Sequence, residues 1–168
     1  TSWLTKTGKH DYLCELKIDG LAVNIVYRKG VLDTVATRGS GAVGENVTAN
    51  VEFMSCIPRT LTTSEVPFPT LLEVRGEVYF PLAEFDAINL EVTSLGRTAF
   101  ANPRNAAAGT LRQRIDRRQE GVAAARSDTA REKRQDELDR ATRAMGRLGL
   151  VVHGIGAHEG VQITAQSH

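Results

Sequence analysis

Residues 21–38 contain two short segments typical of β-strands, LAVNIVYR and VLDTVATR, separated by Lys29-Gly30. This dipeptide fits the tight turn of a β-hairpin, so the two segments are predicted to be antiparallel neighbours. In the second segment, Asp33 shares a face with Val35, which indicates a half-exposed strand. A buried parallel strand would be apolar almost throughout. The pattern therefore favours an antiparallel sheet and argues against a doubly wound parallel one.

Two further segments are predicted to be strands. Residues 72–80, LEVRGEVYF, alternate between an apolar face and a polar face that carries Glu73, Arg75 and Glu77. Residues 12–18, YLCELKI, form a shorter candidate. Unless a ligand or another chain covers it, the polar face of the longer strand is expected to be a solvated sheet surface.

Helices are predicted in four places, from apolar spacing or from capping signals. Combined with the antiparallel strands, they indicate the α+β class. The four predicted helices are residues 45–54, with Val47, Val51 and Met54 at i, i+4 and i+7; a helix after Pro81, with Leu82, Phe85 and Ile88 buried; a helix capped by Asn102-Pro103 and running to about Arg114; and a long charged helix over 123–147.

The composition is that of a soluble globular domain, with 41% apolar and 24% charged residues among 168 and a net charge of +1. Charge is uneven along the chain. Residues 1–111 hold 10 Lys/Arg against 12 Asp/Glu, whereas residues 112–147 hold 11 Lys/Arg against 7 Asp/Glu.

Neither a membrane span nor a signal peptide is visible in the sequence. Cys14 and Cys56 lack C-x-x-C spacing, so neither a zinc site nor a disulfide framework is predicted. The first residue is Thr1, from which we expect an excised or processed piece.

The segment RGSGAVGEN contains G-x-G-x-x-G at Gly39, Gly41 and Gly44. In a Rossmann unit these glycines would follow a buried parallel strand and would open a helix that binds a pyrophosphate. Here the preceding strand is predicted to be half of a hairpin. The acidic residue at the expected distance, Glu65, lies in a loop rich in Ser, Thr and Pro. We therefore predict a flexible loop and not a hydride-transfer site.

The segment CELKIDG matches K-x-D-G at Lys17, Asp19 and Gly20. This signature occurs in enzymes whose lysine amine attacks phosphorus and carries a nucleoside monophosphate as a phosphoramidate. A turn at Asp19-Gly20 would end the preceding strand and fix the direction of the amine. The alternative interpretation is a surface lysine before a hairpin turn, because so short a motif also arises by chance.

Four segments occur together in this order: CELKIDGLAV, ATRGSGAVGENVTANV, LEVRGEVYFP and FANPRNAAAGTLRQ. Together they resemble the adenylation domain of bacterial NAD-dependent DNA ligases over residues 10–115. The resemblance resumes weakly at Val151–Gly160. It implies a nucleotidyltransferase fold like that of DNA ligases and mRNA capping enzymes, with antiparallel sheets lining a nucleotide cleft. It also implies that NAD serves as an AMP donor and not as a hydride carrier.

The resemblance assigns Lys17 as the catalytic residue that takes AMP from NAD and releases nicotinamide mononucleotide. It gives the nucleotide-contacting roles to seven further residues, with Glu15 on adenine, Leu16 offering its backbone to the base, and Glu77 on the ribose. The seven residues are Glu15, Leu16, Asp19, Gly20, Arg38, Arg75 and Glu77.

Arg104 and Arg112 match arginines that the family uses near DNA at the nick. Eight helical residues advance about 12 Å, so both arginines are predicted to share one broad face, spaced like nearby phosphates. The alternative is an ordinary basic helix. The resemblance further implies nicked double-stranded DNA as partner, Mg²⁺ as a cofactor, zinc only in a C-terminal part absent here, a monomer, and the bacterial cytoplasm.

The predicted organisation has three parts: an adenylation core over 1–116, a charged helical insertion over 117–147, and a truncated following segment over 148–168. The downstream lysines of the family pattern are absent, so we expect this part of the domain to be weak or inactive alone. Two alternatives stay open. One is an incomplete fragment that only binds nucleic acid or a partner, and the other is an ATP-dependent nucleotidyltransferase relative.

Overall fold

The computed structural model of the chain describes residues 2–8, 10, 14, 16–39, 43–62 and 67–160. None of the helices within these ranges has the length and apolar character needed to cross a bilayer. The strands are β1 (Leu21–Arg28), β2 (Val31–Thr37), β3 (Leu71–Tyr79) and β4 (Gly149–Glu159). The helices are α1 (Ser2–Thr7), α2 (Leu82–Ser94), α3 (Pro103–Leu111), α4 (Ile115–Ala123) and α5 (Asp128–Gly146), and a 3-10 helix spans Asn50–Phe53.

The four strands form one antiparallel sheet in the order β2-β1-β3-β4. The α+β class and the hairpin at Lys29-Gly30 are confirmed. Both turn residues have positive φ angles, 50° for Lys29 and 78° for Gly30. Two left-handed residues in a two-residue connection match the right-handed twist of the flanking strands, which explains why a glycine stands in this turn.

One face of the sheet packs against α3, and its buried side chains join those of α5 and the 3-10 helix in the core. The alternation predicted for β3 is confirmed, because Gly76 and Val78 are buried whereas Arg75 is exposed. Side chains from strands and helices meet in a single cluster of buried residues, which includes Val23, Ile25, Val35, Val78, Leu111, Ile115 and Met145. On the opposite face, Asn24 of β1 and Arg75 of β3 lie next to each other and are exposed.

The N-terminal strand prediction is not supported where it can be checked. Residues 16–19 have no regular secondary structure, and residues 11–13 and 15 lie outside the described part of the chain. A β-strand is defined by hydrogen bonds to a neighbouring strand, and apolar alternation alone does not supply that neighbour.

The helix predicted over 45–54 is wrong except for the 3-10 turn at its end, although Val47 and Val51 are buried as expected. The physical reason lies in the side chain of Thr48. Its hydroxyl accepts the N–H of Val35 at 2.8 Å, and its own N–H donates to Asn46 Oδ1 at 2.9 Å. These bonds give the backbone around Thr48 hydrogen-bond partners other than those of an α-helix.

Helix α2 begins at Leu82, with Pro81 as its N-cap. Ile88 is buried as predicted, but Leu82 is 75% exposed. Each residue advances about 100° around a helix, so six residues place Leu82 roughly 120° from Ile88, off the buried face. The N-cap of α3 is confirmed, since Asn102 accepts the N–H of Asn105 at 2.8 Å. That helix ends at Leu111, three residues earlier than expected.

The long helix expected over 123–147 is α5, which begins only at Asp128, and a separate helix that was not predicted, α4, precedes it and packs against it. Ser127 interrupts the pattern because its hydroxyl accepts the N–H of Ala130 at 3.2 Å and caps α5. Leu138 and Met145 from α5 belong to the core cluster. The boundary between a core over 1–116 and an insertion over 117–147 stays a prediction.

Asn50 is a buried polar residue that links the 3-10 helix to the end of α3. Its Nδ2 donates to the carbonyls of Leu111 and Gln113, both at 2.7 Å. We expect Asn50→Ala to lower the free energy of unfolding by about 1–3 kcal/mol, because both carbonyls lose their partner in a buried setting. Urea denaturation measures this change. The control is Asn105→Ala on the exposed face of α3, and equal effects of the two substitutions would contradict the expectation.

Candidate active site

The polar face of the sheet forms one side of an open cleft of about 650 Å³. This volume lies within the range of about 300–1,000 Å³ common for small-molecule sites. All four strands contribute to it, together with the segment that follows β2. The polar and aromatic side chains that line the cleft are Asn24, Thr37, Arg38, Arg75, Glu77 and His153.

Gly20, the glycine of K-x-D-G, is hydrogen-bonded to a residue that lines this cleft. The N–H of Gly20 donates to Glu77 Oε1 at 3.3 Å, joining positions 57 residues apart. A Cβ at Gly20 would lie 2.2 Å from the carbonyl oxygen of Val78. Only glycine therefore lets the chain come close enough to β3 for this hydrogen bond.

Lys17 is exposed and lies three residues before Gly20, outside any strand. Three residues span at most roughly 11 Å, so the lysine backbone is held within that distance of the glycine anchored on Glu77. The neighbouring Leu16 is 91% exposed. Glu15 lies outside the described residues.

The acidic residue of the motif contacts a helix. Asp19 Oδ1 accepts from Arg104 Nη1 at 3.1 Å, and both side chains are more than half exposed. Arg104 lies in the first turn of α3, whose start is fixed by the cap at Asn102. An exposed pair of this kind stabilises a fold by only about 0–1 kcal/mol, so its main consequence is to place Arg104 beside the K-x-D-G segment.

Arg112 is held beside a different part of the chain. It is the C-cap of α3, and its Nε lies 3.4 Å from Glu45 Oε2. Glu45 is itself fixed by two hydrogen bonds to Thr37, one through its N–H at 3.1 Å and one through its carbonyl at 2.9 Å. The two arginines of α3 thus stand at separate places, one at K-x-D-G and one at the end of the glycine segment.

Two glycines of the G-x-G-x-x-G segment, Gly39 and Gly44, lie where the chain approaches its own backbone closely. Gly39 has a φ of 53°, and a Cβ at Gly44 would lie 1.8 Å from the carbonyl oxygen of Thr37. Beyond Gly44, Asn46 pairs antiparallel with Ala36. The preceding strand is the antiparallel partner of β1, as predicted, so a Rossmann unit is absent from this described region. Gly41 lies outside the described residues.

On β3, Arg75 lines the cleft and is paired with Glu73, whose Oε1 lies 3.0 Å from Arg75 Nε. This hydrogen bond is the main cause that lowers the pKa of Glu73, followed by the bond from the backbone N–H of Ala157. The glutamate is therefore ionised at neutral pH. On the cleft face of β3, Arg75 is therefore held by Glu73, and Glu77 follows two residues later.

A model of the NAD-dependent DNA ligase adenylation domain matches residues 2–126 of the chain. The chain belongs to this family. It is 47% identical to a DNA ligase of Thermobifida fusca (strain YX) over 93% of its length, and 46% identical to one of Leifsonia xyli subsp. xyli (strain CTCB07) over 94%. It is also 47% identical to a DNA ligase of Corynebacterium aurimucosum over 98%. These matches cover 18%, 19% and 21% of the three proteins, so this adenylation-domain chain spans about a fifth of the length of the curated relatives it matches.

The residues predicted for nucleotide contact in this adenylation domain are partly brought together. Arg38, Arg75 and Glu77 line the cleft, and Gly20 is bonded to Glu77. Asp19 faces Arg104 instead, and Arg112 lies apart from the cleft lining. The roles of all these residues stay predictions.

Two cleft residues were missed in the sequence. Asn24 is the single polar residue inside the apolar run of β1, a signal that was available. His153 lies on β4 in a stretch of small and apolar residues, where no motif marks it. Its position became visible only when β4 was paired with β3. No group of three or more His, Cys, Asp or Glu residues suited to a metal ion occurs within the described ranges.

Proposed function

We propose that this chain is the nucleotide-binding part of an NAD-dependent DNA ligase with a nucleotidyltransferase fold. In the intact protein, Lys17 would take AMP from NAD and pass it to the 5′-phosphate of a DNA nick. The hydrogen bond from Gly20 to Glu77 carries the proposal, because it joins the K-x-D-G segment to a polar cleft of suitable size. Family membership supports the same assignment.

The cleft has the chemistry that an adenine nucleotide requires. Arg38 and Arg75 offer guanidinium groups, which suit phosphate oxygens. Glu77 offers carboxylate oxygens that accept hydrogen bonds from ribose hydroxyls. The ring of His153 suits stacking against a base. By the family resemblance, Glu15 and the backbone of Leu16 contact the adenine edge.

The proposed first step is a nucleotidyl transfer to nitrogen. The lone pair of Lys17 Nζ attacks the α-phosphorus of NAD, the bond from that phosphorus to the bridging oxygen breaks, and nicotinamide mononucleotide leaves. The amine gives up its proton to solvent, so a neutral phosphoramidate nitrogen remains. Mg²⁺ binds phosphate oxygens and keeps several waters, and in this reaction it would offset phosphate charge.

The second part of the proposal concerns DNA. Arg104 and Arg112 are both about half exposed, and each forms an ion pair with a surface carboxylate among the described residues. Such pairs are weak, so a DNA phosphate can replace the carboxylate at small cost. In the proposed sequence AMP moves to the 5′-phosphate, after which the neighbouring 3′-hydroxyl attacks that phosphate and displaces AMP.

The test is intact-protein mass spectrometry of the full-length protein that contains this chain, after incubation with NAD and Mg²⁺. We expect the wild-type protein and Lys133→Ala to gain one AMP, because Lys133 lies on the exposed surface of α5. Lys17→Ala should gain none. An unchanged wild-type mass, or a full adduct on Lys17→Ala, would rule out the assigned nucleophile.

The nucleotide donor is tested separately from the nucleophile. NAD and ATP are offered in turn and then in competition, and the adduct is quantified in each case. We expect NAD to support adduct formation and ATP to leave the protein unmodified. Adduct formation from ATP at the same rate would favour an ATP-dependent relative.

A further inference from the structure

Strand β4 forms a small recess around the carboxylate of Glu73, called the seat below, from Gly156 and Ala157. The N–H of Ala157 donates to Glu73 Oε2 at 3.3 Å. Position 156 is a glycine, and a Cβ there would lie 2.5 Å from the carboxyl carbon of Glu73. The pairing register shifts between Leu72 and Val74, so two residues of β4 lie opposite this one residue of β3. The bulge, the glycine and the backbone donor together hold one carboxylate.

The seated carboxylate holds Arg75. Glu73 Oε1 accepts from Arg75 Nε at 3.0 Å, and the Glu73 side chain is 19% exposed whereas that of Arg75 is 53% exposed. The arginine lines the cleft, and the glutamate does not. Within the described part of the chain, the guanidinium of Arg75 forms its hydrogen bond to Glu73 through Nε alone. Both terminal nitrogens therefore remain for an anion.

An ordinary surface pair provides the contrast. Arg59 and Glu52 lie 3.3 Å apart, but both side chains are more than half exposed. Glu73 differs because each carboxylate oxygen has its own donor. Glutamine presents one acceptor oxygen and one donor amide, so it cannot offer Arg75 and Ala157 a separate acceptor oxygen each. Aspartate is shorter by one methylene and does not reach the same seat.

We propose that Glu73 is a positioning residue that fixes the guanidinium of Arg75 toward the phosphates of the nucleotide bound in the cleft. The proposal rests on the function proposed above. Because a fixed arginine contacts phosphate oxygens in the bound substrate, losing its orientation weakens substrate binding and raises KM more than it lowers kcat.

The test measures steady-state sealing of nicked DNA by the full-length protein, at a fixed saturating DNA concentration, as the NAD concentration is varied. For Glu73→Gln we expect KM for NAD to rise about tenfold, whereas kcat changes by less than about threefold. Glu52→Gln, the matched control, should keep both constants. A KM within about twofold of the wild-type value overturns the positioning role, whatever happens to kcat.

Two further variants separate positioning from general damage. In an Arg75→Gln background, Glu73→Gln should cause no further rise in KM, because the glutamate acts only through the arginine. An additive rise overturns the proposal.

Gly156→Ala keeps the charges of Glu73 and Arg75 but fills the seat, so it should raise KM as Glu73→Gln does. A KM within about twofold of the wild-type value counts against the proposal. Absence of any adduct on the wild-type protein would instead refute the proposed function.

Discussion

Replacing Gly20 with alanine is expected to slow adenylation at least about 100-fold and to lower the free energy of unfolding by about 2–4 kcal/mol. The added Cβ would lie 2.2 Å from the carbonyl oxygen of Val78 and 3.0 Å from Cγ of Glu77. β3 cannot retreat, since it is paired on both sides with β1 and β4. The K-x-D-G segment must therefore move away, which breaks the hydrogen bond to Glu77 and displaces Lys17.

The measurement combines the rate of AMP adduct formation with urea denaturation. Gly121→Ala is the matched control, because Gly121 lies inside α4 and the nearest atom to its Cβ would be 4.0 Å away. Alanine favours helix there, so the control is expected to be neutral or more stable by up to about 1 kcal/mol. A wild-type adenylation rate in Gly20→Ala would show that the close approach to β3 has no part in the reaction.

The elements that were predicted correctly depend on local chemistry. The hairpin at Lys29-Gly30 and the cap at Asn102 each need only a few neighbouring residues. The alternation of β3 is equally local. Errors arose where a side chain competes with the backbone, as Thr48 does before the 3-10 helix, or where a single hydroxyl interrupts a charged run, as Ser127 does between α4 and α5.

In the candidate site, too, the features that depend on local sequence were predicted and those that depend on distant contacts were not. Alternation placed Glu73, Arg75 and Glu77 on one polar face, which agrees with the contact between Glu73 and Arg75 and with the position of Arg75 and Glu77 in the cleft lining. The sequence could not show that Gly20 meets Glu77, because that contact joins distant positions. Nor could it show the seat of Glu73, which depends on a bulge formed only when β4 docks against β3.

Met145→Ala is expected to lower the free energy of unfolding by about 2–5 kcal/mol, the usual cost of emptying a buried large side chain. Met145 has 0% exposure and belongs to the same cluster as the residues of the sheet. It lies in the segment 117–147, which was predicted to be a charged helical insertion. If one face of α5 completes the core, removing this side chain leaves a cavity in the part of the domain that supports the cleft.

Lys133→Ala is the matched control, since Lys133 is exposed on the same helix and alanine preserves helix propensity. Chemical denaturation of both variants gives the comparison. An effect of Met145→Ala below about 0.5 kcal/mol would mean that α5 behaves as an appendage and that the core over 1–116 is stable without it. A large effect would mean that the charged residues of α5 form only its outer surface, and that the predicted boundary at 116 divides one folded unit.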